Sequence, residues 1–190
     1  MNFNSIPAGE NIPEDIYVII EISQNSNPVK YEINKNNGTI FVDRFIPTPM
    51  FYPCNYGYIN QTLALDGDPI DVLLPTPFPI HPGTIVRSRP IGILKMLDES
   101  GEDSKLIAVP HPNLSNAYNN IKDIEDLPQI LRIQIIYFFE NYKKLEKDKW
   151  TKIEGWDNVH SAKLAILASF KRASSIKNLQ ERIKENMVEE

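Results

Sequence analysis

One run of seven residues constrains this chain more than any other part: Asp66-Gly67-Asp68-Pro69-Ile70-Asp71-Val72. Pro69 has no N–H to donate and prevents one continuous, regular strand here. In such a strand Asp66 and Asp68 would share a face, and Asp71 would lie on the other. A tight turn at Pro69 and the preceding glycine instead lets all three carboxylates point at one place. The run therefore predicts an acidic turn at the start of a strand.

Carboxylates at this density repel one another unless a positive charge lies among them, and hard divalent cations prefer oxygen ligands. A calcium loop of the EF-hand type does not fit, because its fifth, sixth and twelfth positions would be Ile70, Asp71 and Pro77. Magnesium fits better, since it binds through a few carboxylates and shares its other positions with water and phosphate oxygens. A solvated acidic turn without metal is the alternative.

Composition indicates one soluble globular domain with a real core, because 190 residues with 42% hydrophobic and 24% charged side chains are ordinary for that class. The net charge of −5 gives no support to a nucleic-acid partner. Cys54 is the only cysteine, which excludes an intrachain disulfide and fits a reducing compartment. The N-terminus lacks the apolar region of a signal peptide, and no apolar run approaches a membrane span, so we expect a cytoplasmic protein.

Several common chemistries lack their motifs. The chain has no Gly-x-x-x-x-Gly-Lys phosphate loop, no Gly-x-Ser-x-Gly elbow and no His-Glu-x-x-His. Its three scattered histidines and single cysteine cannot build an ordinary structural zinc site.

The pattern of apolar residues predicts a β-rich first half followed by helices. We expect strands at 17–22, 29–33, 39–45, 72–74, 84–89, 91–97 and 106–109, with a hairpin turn at 36–38. Asp126 is predicted to cap a helix whose apolar stripe is Leu131, Ile135, Phe138, Tyr142 and Leu145. Asn158 is predicted to cap a second helix, which continues through Ile176, Leu179 and Ile183. We therefore expect an α+β chain, mainly β, in which a small closed barrel packs against helices.

A second acidic turn also leads into a predicted strand, and it carries Asp98, Glu99, Glu102 and Asp103. In a barrel the two turns can open onto one cavity. The nearby cations are Lys30, Arg44, Lys105 and Lys143. Acids on one wall and cations on another suit a metal-bound phosphate. A solvated hairpin tip, solvated surface charges and tyrosines that only fill the core are the alternatives.

These residues match a known family. The seven-residue run fits, at every position, the pattern Asp-(Ser/Gly/Asp/Asn)-Asp-(Pro/Glu)-apolar-Asp-apolar of family I soluble inorganic pyrophosphatases. The segments that also resemble the bacterial branch are 30–32, 42–45, 51–58, 101–105, 142–143, 149–150 and 154–156. The resemblance spans roughly residues 5 to 172, and several separate motifs in the right order are more specific than one.

The resemblance implies a five-stranded OB-like barrel with flanking helices. It also implies Mg²⁺-dependent hydrolysis of pyrophosphate to two orthophosphates, with several ions in each site, and a homohexamer of two stacked trimers. No nucleic-acid or membrane partner is expected. We expect residues 1–175 to form a single catalytic domain and residues 176–190 to form a charged tail, helical or frayed, that is longer than the family pattern.

Site roles follow from the same resemblance. Asp66, Asp71 and Asp103 resemble ligands of two ions that activate water, and Asp98, with Asp103, resembles the ligands of an ion that arrives with substrate. Asp68 resembles the base beside the attacking water. The phosphate-binding set is Lys30, Arg44, Tyr56, Lys105, Tyr142 and Lys143. Positions that line the site are Glu21, Glu32, Tyr52 and Glu99.

Three other functions stay open from the sequence. The chain is compatible with an OB-like nucleic-acid-binding module without catalysis, with a metal-binding or assembly protein without activity, and with a Mg²⁺-dependent hydrolase of nucleotides. The net charge of −5 opposes the first function. Nothing favours the second function, because no expected site residue is replaced.

Overall fold

The computed structural model describes residues 3–188 and the side chains of residues 3–179. Its strands are β1 (Ile16–Ile22), β2 (Val29–Ile33), β3 (Ile40–Phe45), β4 (Asn55–Ile59), β5 (Asp71–Leu74), β6 (Ile85–Asp98), β7 (Gly101–Glu102), β8 (Lys105–Pro110) and β9 (Thr151–Asp157). Its α-helices are α1 (Gln129–Asn141) and α2 (Val159–Val188). Three short 3₁₀ turns complete the regular structure of the described part.

Five of these strands close into a ring in the order β1-β4-β5-β8-β6, because β1 pairs with both β4 and β6. The β5–β8 pair is parallel and the other pairs of the ring are antiparallel. β7 and β9 extend the sheet from β6. The predicted α+β class with a small closed arrangement of strands is confirmed.

The ring strands are buried on both faces, which explains their nearly continuous apolar sequences. In β5, Val72 and Leu74 pack into the cluster that contains Ala162 and Ile166 of α2. Leu73, between them, points to the opposite face and packs with the cluster that contains Phe138 of α1. Successive side chains of a strand alternate between faces, so β5 is fixed against both helices.

Strands β2 and β3 form a separate two-stranded hairpin. The turn of this hairpin is held by Asn34, whose side-chain oxygen accepts the backbone N–H groups of Asn36 and Asn37. The outer face of β3 carries Phe41 and Phe45, which are exposed. The hairpin is thus attached at one side of the ring instead of being part of it.

Four expectations about strands need correction. The predicted strands at 84–89 and 91–97 are one strand, β6. Pro90 does not end this strand, because the pairing with β8 shifts register between Pro90 and Gly92, and this bulge accommodates the missing N–H. Three strands were not predicted: β4 within the aromatic segment, the two-residue β7 in the second acidic turn, and β9.

The first helix begins later than predicted. Asp126 does not cap α1. It ends a 3₁₀ turn, and its carboxylate accepts the backbone N–H groups of Lys122 and Asp123, while Pro128 precedes the first residue of α1. Leu145 lies past the end of α1 and is exposed, so the predicted apolar stripe is one residue too long.

The second helix begins as predicted. The side chain of Asn158 accepts the backbone N–H of Ser161, and α2 continues from Val159 to Val188. The side chain of Ile183, which was predicted to extend the stripe, lies outside the described residues. Within the described part of the chain, neither helix combines the length and the apolar character that a membrane span requires.

Candidate active site

A single cavity of about 320 Å³ opens where the hairpin, the ring and the C-terminal end of α1 meet. Every site residue predicted from the sequence lines it. These residues are Glu21, Lys30, Glu32, Arg44, Tyr52, Tyr56, Asp66, Asp68, Asp71, Asp98, Glu99, Asp103, Lys105, Tyr142 and Lys143. Glu102 of the second acidic turn is exposed and lines a smaller neighbouring cavity instead.

The first acidic turn is shaped by short-range hydrogen bonds. Asp66 Oδ1 accepts the backbone N–H of Asp68 at 3.0 Å, which folds the turn back on itself. Gly67 adopts a φ of +94°, a conformation that side chains other than glycine rarely adopt. Asp71 then enters β5 opposite Tyr58 of β4, so its carboxylate faces the cavity beside the tyrosines.

The second acidic turn is held in a similar way. Asp98 Oδ1 accepts the backbone N–H of Ser100 at 2.8 Å, and the backbone N–H of Asp103 donates to the carbonyl of Met96. The other carboxylate oxygen of Asp98 lies 2.7 Å from the ammonium of Lys143, which comes from the segment after α1. Residues from two distant parts of the chain thus meet at this wall.

Lysines lie between the acids. The buried ammonium of Lys105 contacts Asp71 Oδ2 at 2.6 Å and also contacts Asp103. Within residues 3–179, no group of three carboxylate, histidine or cysteine side chains lies close enough to form a ready-made metal site. The donor chemistry nevertheless fits a hard divalent cation, because eight carboxylates face one cavity.

The hairpin brings two more cations to the cavity wall. Lys30 lies 2.8 Å from Glu32 and 3.2 Å from Asp43. Arg44 pairs with Asp43 at 3.1 Å and with Glu146 at 3.4 Å. Acidic side chains therefore hold both cations at the cavity wall, where they can bind an anionic ligand.

The cavity floor is aromatic. Phe138 stacks on Tyr142 with ring centroids 5.1 Å apart and packs against Tyr52 at 4.5 Å. Burial raises the pKa of Tyr56 and Tyr142 well above the usual range, so both phenols keep their protons near neutral pH. These hydroxyls are therefore available as donors to an oxyanion.

Glu21 and Glu99 differ in their ionisation although both line the cavity. Burial raises the pKa of Glu21 to about 7, against the effect of the hydrogen bond that its carboxylate accepts from the backbone of Ile33. Burial also opposes ionisation of Glu99, but the hydrogen bond from Lys149 and the charge of Lys143 lower its pKa to about 2. One wall thus has a carboxyl that titrates near neutral pH.

Sequence reasoning missed some cavity residues. Lys35, Tyr58, Ser100 and Lys149 also line the cavity, although Lys149 was noted as part of a motif. Tyr58 was accessible from sequence, because it follows Tyr56 by two positions and shares its face once this segment is recognised as a strand. Lys35, in a hairpin turn, has no such signal.

Comparison with known proteins decides the family. The model of the inorganic pyrophosphatase family matches residues 18–174. The chain belongs to the inorganic pyrophosphatase family. Inorganic pyrophosphatase of Salmonella typhimurium is 62% identical over 174 residues, which cover 92% of this chain and 99% of the relative. The Escherichia coli K12 protein of the same name is 61% identical over 175 residues, with the same shares.

Solved structures agree with this membership of the family. An inorganic phosphatase from Anaplasma phagocytophilum superposes with a TM-score of 0.88 at 48% identity, covering 90% of this chain and 99% of that one. Inorganic pyrophosphatase from Thermus thermophilus superposes with a TM-score of 0.86 at 39% identity, covering 92% and 99%. The similarity to members of the family therefore covers the ring, the hairpin and the cavity.

Proposed function

We propose that the protein hydrolyses inorganic pyrophosphate to two orthophosphates, with divalent cations bound at the acidic turns. The observation that carries this proposal is the convergence, in one cavity, of eight carboxylates and six cationic side chains on a chain of this family. Acids alone would repel pyrophosphate, and cations alone would not bind metal. The combination suits a small, strongly anionic substrate that enters with metal.

In this proposal the carboxylates of the two acidic turns bind the divalent cations. In the proposal, Asp66, Asp71 and Asp103 hold ions on the side of the attacking water, and Asp98 with Asp103 holds an ion that enters with substrate. Magnesium, when bound, supplies neutralising charge and lowers the pKa of a water molecule. Glu21, Glu32, Tyr52 and Glu99 support this set from the cavity wall, through bound waters or the neighbouring carboxylates.

The cationic side chains and the tyrosine hydroxyls bind the oxygens of the substrate. Lys30 and Arg44 bind from the hairpin, while Lys105 and Lys143 bind from the wall of the ring and the segment after α1. Tyr56 and Tyr142 keep their protons and donate hydrogen bonds. Charge that develops on the departing phosphate is thereby stabilised by donors already in place.

The chemical step is a displacement at phosphorus. The oxygen of a water molecule forms the new bond to one phosphorus atom, and the bond from that phosphorus to the bridging oxygen breaks. Asp68 accepts the proton of the water, since its carboxylate lines the cavity and is largely exposed in the acidic turn. The bridging oxygen leaves with the second phosphate.

A nucleic-acid-binding function has no specific support. Eight carboxylates line the cavity, and they would repel a phosphate backbone unless metal masked them. The proposed role is instead to remove pyrophosphate in the cytoplasm and thereby favour the biosynthetic reactions that release it.

We also propose self-association as a homohexamer, as the family resemblance implies. Exposed apolar side chains support an interface between copies: Ile130, Ile133 and Tyr137 lie along one face of α1. Sedimentation of the purified protein tests this proposal, because a hexamer and a monomer of 21.8 kDa differ sixfold in mass.

The enzymatic proposal is tested by orthophosphate release. Pyrophosphate, ATP and p-nitrophenyl phosphate are incubated in parallel with the protein while Mg²⁺ is titrated from zero. Fast Mg²⁺-dependent release from pyrophosphate alone supports the proposal. Release from ATP at a similar rate would favour a nucleotide hydrolase, and no release at any Mg²⁺ concentration would overturn the assigned activity.

A further inference from the structure

Lys35 lines the cavity but has no role in the reaction described above. It lies in the turn between β2 and β3, on the side of the cavity that holds the first acidic turn. The other hairpin cations, Lys30 and Arg44, lie on the strands themselves. Lys35 is therefore the hairpin cation that reaches toward the acidic turn.

The backbone that carries Lys35 is well anchored. On one side of the turn, the N–H of Asn34 donates to the carbonyl of Thr39, and the N–H of Gly38 donates to the carbonyl of Asn34. The side chain of Asn4 donates to the side-chain oxygen of Asn36 at 3.1 Å, which ties the turn to the N-terminal segment. The base of the Lys35 side chain is thus fixed, while its long stem can move.

The ammonium of Lys35 lies between two groups of the cavity. It is 3.4 Å from Asp68 Oδ1 and 5.7 Å from the ring centroid of Tyr58. Tyr58 is buried, and its hydroxyl has no hydrogen-bond partner among the described residues. The aromatic ring provides a surface over which a cation is attracted without being fixed in one direction.

The ion pair of Lys35 is looser than the pairs of the buried cations. Lys105 and Lys143 contact carboxylates at 2.6 Å and 2.7 Å, and both are almost fully buried. The side chains of Lys35 and Asp68 are 39% and 78% exposed, so water screens their attraction. Turning Lys35 away from Asp68 therefore costs less than moving either buried lysine.

From this geometry we infer that Lys35 is a further substrate-contacting residue. Its ammonium leaves Asp68 and binds the phosphoryl group that lies nearest to the first acidic turn. The same movement frees the Asp68 carboxylate for the attacking water. This inference rests on the proposed function, because it assigns one more contact to the same substrate.

The test measures binding of methylenediphosphonate, a pyrophosphate analogue that cannot be hydrolysed at its bridge, by calorimetry in the presence of Mg²⁺. Lys35→Met is expected to weaken binding about fivefold, the change expected for one half-exposed charge contact. Lys35→Arg keeps the charge and is expected to bind within about twofold of the unsubstituted protein. Lys122→Met, which removes an exposed lysine elsewhere, is the matched control.

Turnover provides a second measurement. Lys35→Met is expected to raise KM for pyrophosphate by a similar factor, while kcat changes less than about threefold. Unchanged analogue binding in Lys35→Met would overturn the inference. So would tighter Mg²⁺ binding with unchanged analogue binding, since Lys35 would then only neutralise the acidic turn. Failure of the unsubstituted protein to hydrolyse pyrophosphate would instead overturn the proposed function, and the outcomes are thereby distinguished.

Discussion

The ammonium nitrogen of Lys105 lies 2.6 Å from Oδ2 of Asp71, in the wall of the cavity. It also contacts Asp103, which belongs to the other acidic turn. Burial alone would lower the pKa of Lys105, but these two carboxylates outweigh it and raise the pKa above its usual range. One lysine therefore holds together two acids that would otherwise repel each other.

Replacing Lys105 with methionine is expected to destabilise the metal-free protein by about 3 kcal/mol, because two carboxylates lose their buried partner. Mg²⁺ should then raise the melting temperature of Lys105→Met more than that of the unsubstituted protein, since a divalent cation supplies the lost charge. Urea unfolding in EDTA and thermal unfolding with Mg²⁺ measure both effects. Lys95→Met, which breaks an exposed pair with Asp157, serves as control and should cost at most about 1 kcal/mol. Equal stability of the two variants would contradict this account.

The free energy of unfolding is expected to depend on pH through Glu21. Its pKa is raised from 4.5 to about 7 by burial, so the native state binds this proton more tightly than the unfolded state does. Stability therefore falls as pH rises through this window. Glu21→Gln removes the effect, and we expect this variant to gain about 3 kcal/mol relative to the unsubstituted protein between about pH 4.5 and pH 8. Urea unfolding in EDTA at both pH values measures the gain, and a pH-independent difference would refute it.

Gly57 is required by close packing of β4 on β1. A Cβ at this position would lie 1.9 Å from the carbonyl oxygen of Ile19 in β1, and backbone cannot give way there. Gly57→Ala is expected to cost about 3 kcal/mol or more in free energy of unfolding. Gly67→Ala is the matched control, because its Cβ meets nothing within 4 Å and only its φ of +94° is unfavourable; about 1 kcal/mol is expected. A smaller cost for Gly57→Ala than for Gly67→Ala would show that the packing argument is wrong.

The division at residue 175 also yields a prediction. The family match ends at residue 174, and α2 continues to Val188. We propose that residues 1–175 form the catalytic domain and that residues 176–190 are dispensable for catalysis. A chain ending at residue 175 is expected to keep kcat/KM for pyrophosphate within about twofold, far less than the loss from an active-site change. A tenfold loss of kcat/KM with unchanged oligomeric mass would contradict this proposal and show that residues 176–190 contribute to catalysis.

The sequence predicted the ring strands other than β4, and it predicted the cavity residues where local chemistry was strong. The acidic run at 66–72 and the aromatic segment at 51–58 carry enough unusual residues to mark a site, and their motifs indicated the family. The hairpin was predicted from alternation at 29–33 and from the turn at 36–38.

Features set by tertiary contacts were not predictable in this way. β9 mixes Lys152 and Glu154 with Gly155, so its sequence has little strand propensity, and its pairing with β6 stabilises it. Asp126 has the side chain of a helix cap, but its carboxylate accepts the backbone N–H groups of Lys122 and Asp123 at the 3₁₀ turn that precedes α1. Lys35 was not singled out from the sequence, because only the fold of the chain brings the hairpin turn near Asp68.

The most direct test of the central claim compares Asp68→Asn and Asp71→Asn with the unsubstituted protein, measuring Mg²⁺ binding by calorimetry and orthophosphate release from pyrophosphate. The account predicts that Asp68→Asn binds Mg²⁺ normally but is slower by about 100-fold or more, as expected when a proton acceptor is lost. Asp71→Asn should lose both Mg²⁺ affinity and most of the activity, because it removes a proposed ligand. Unchanged Mg²⁺ affinity together with full turnover in either variant would contradict the assignment of the first acidic turn as the centre of catalysis.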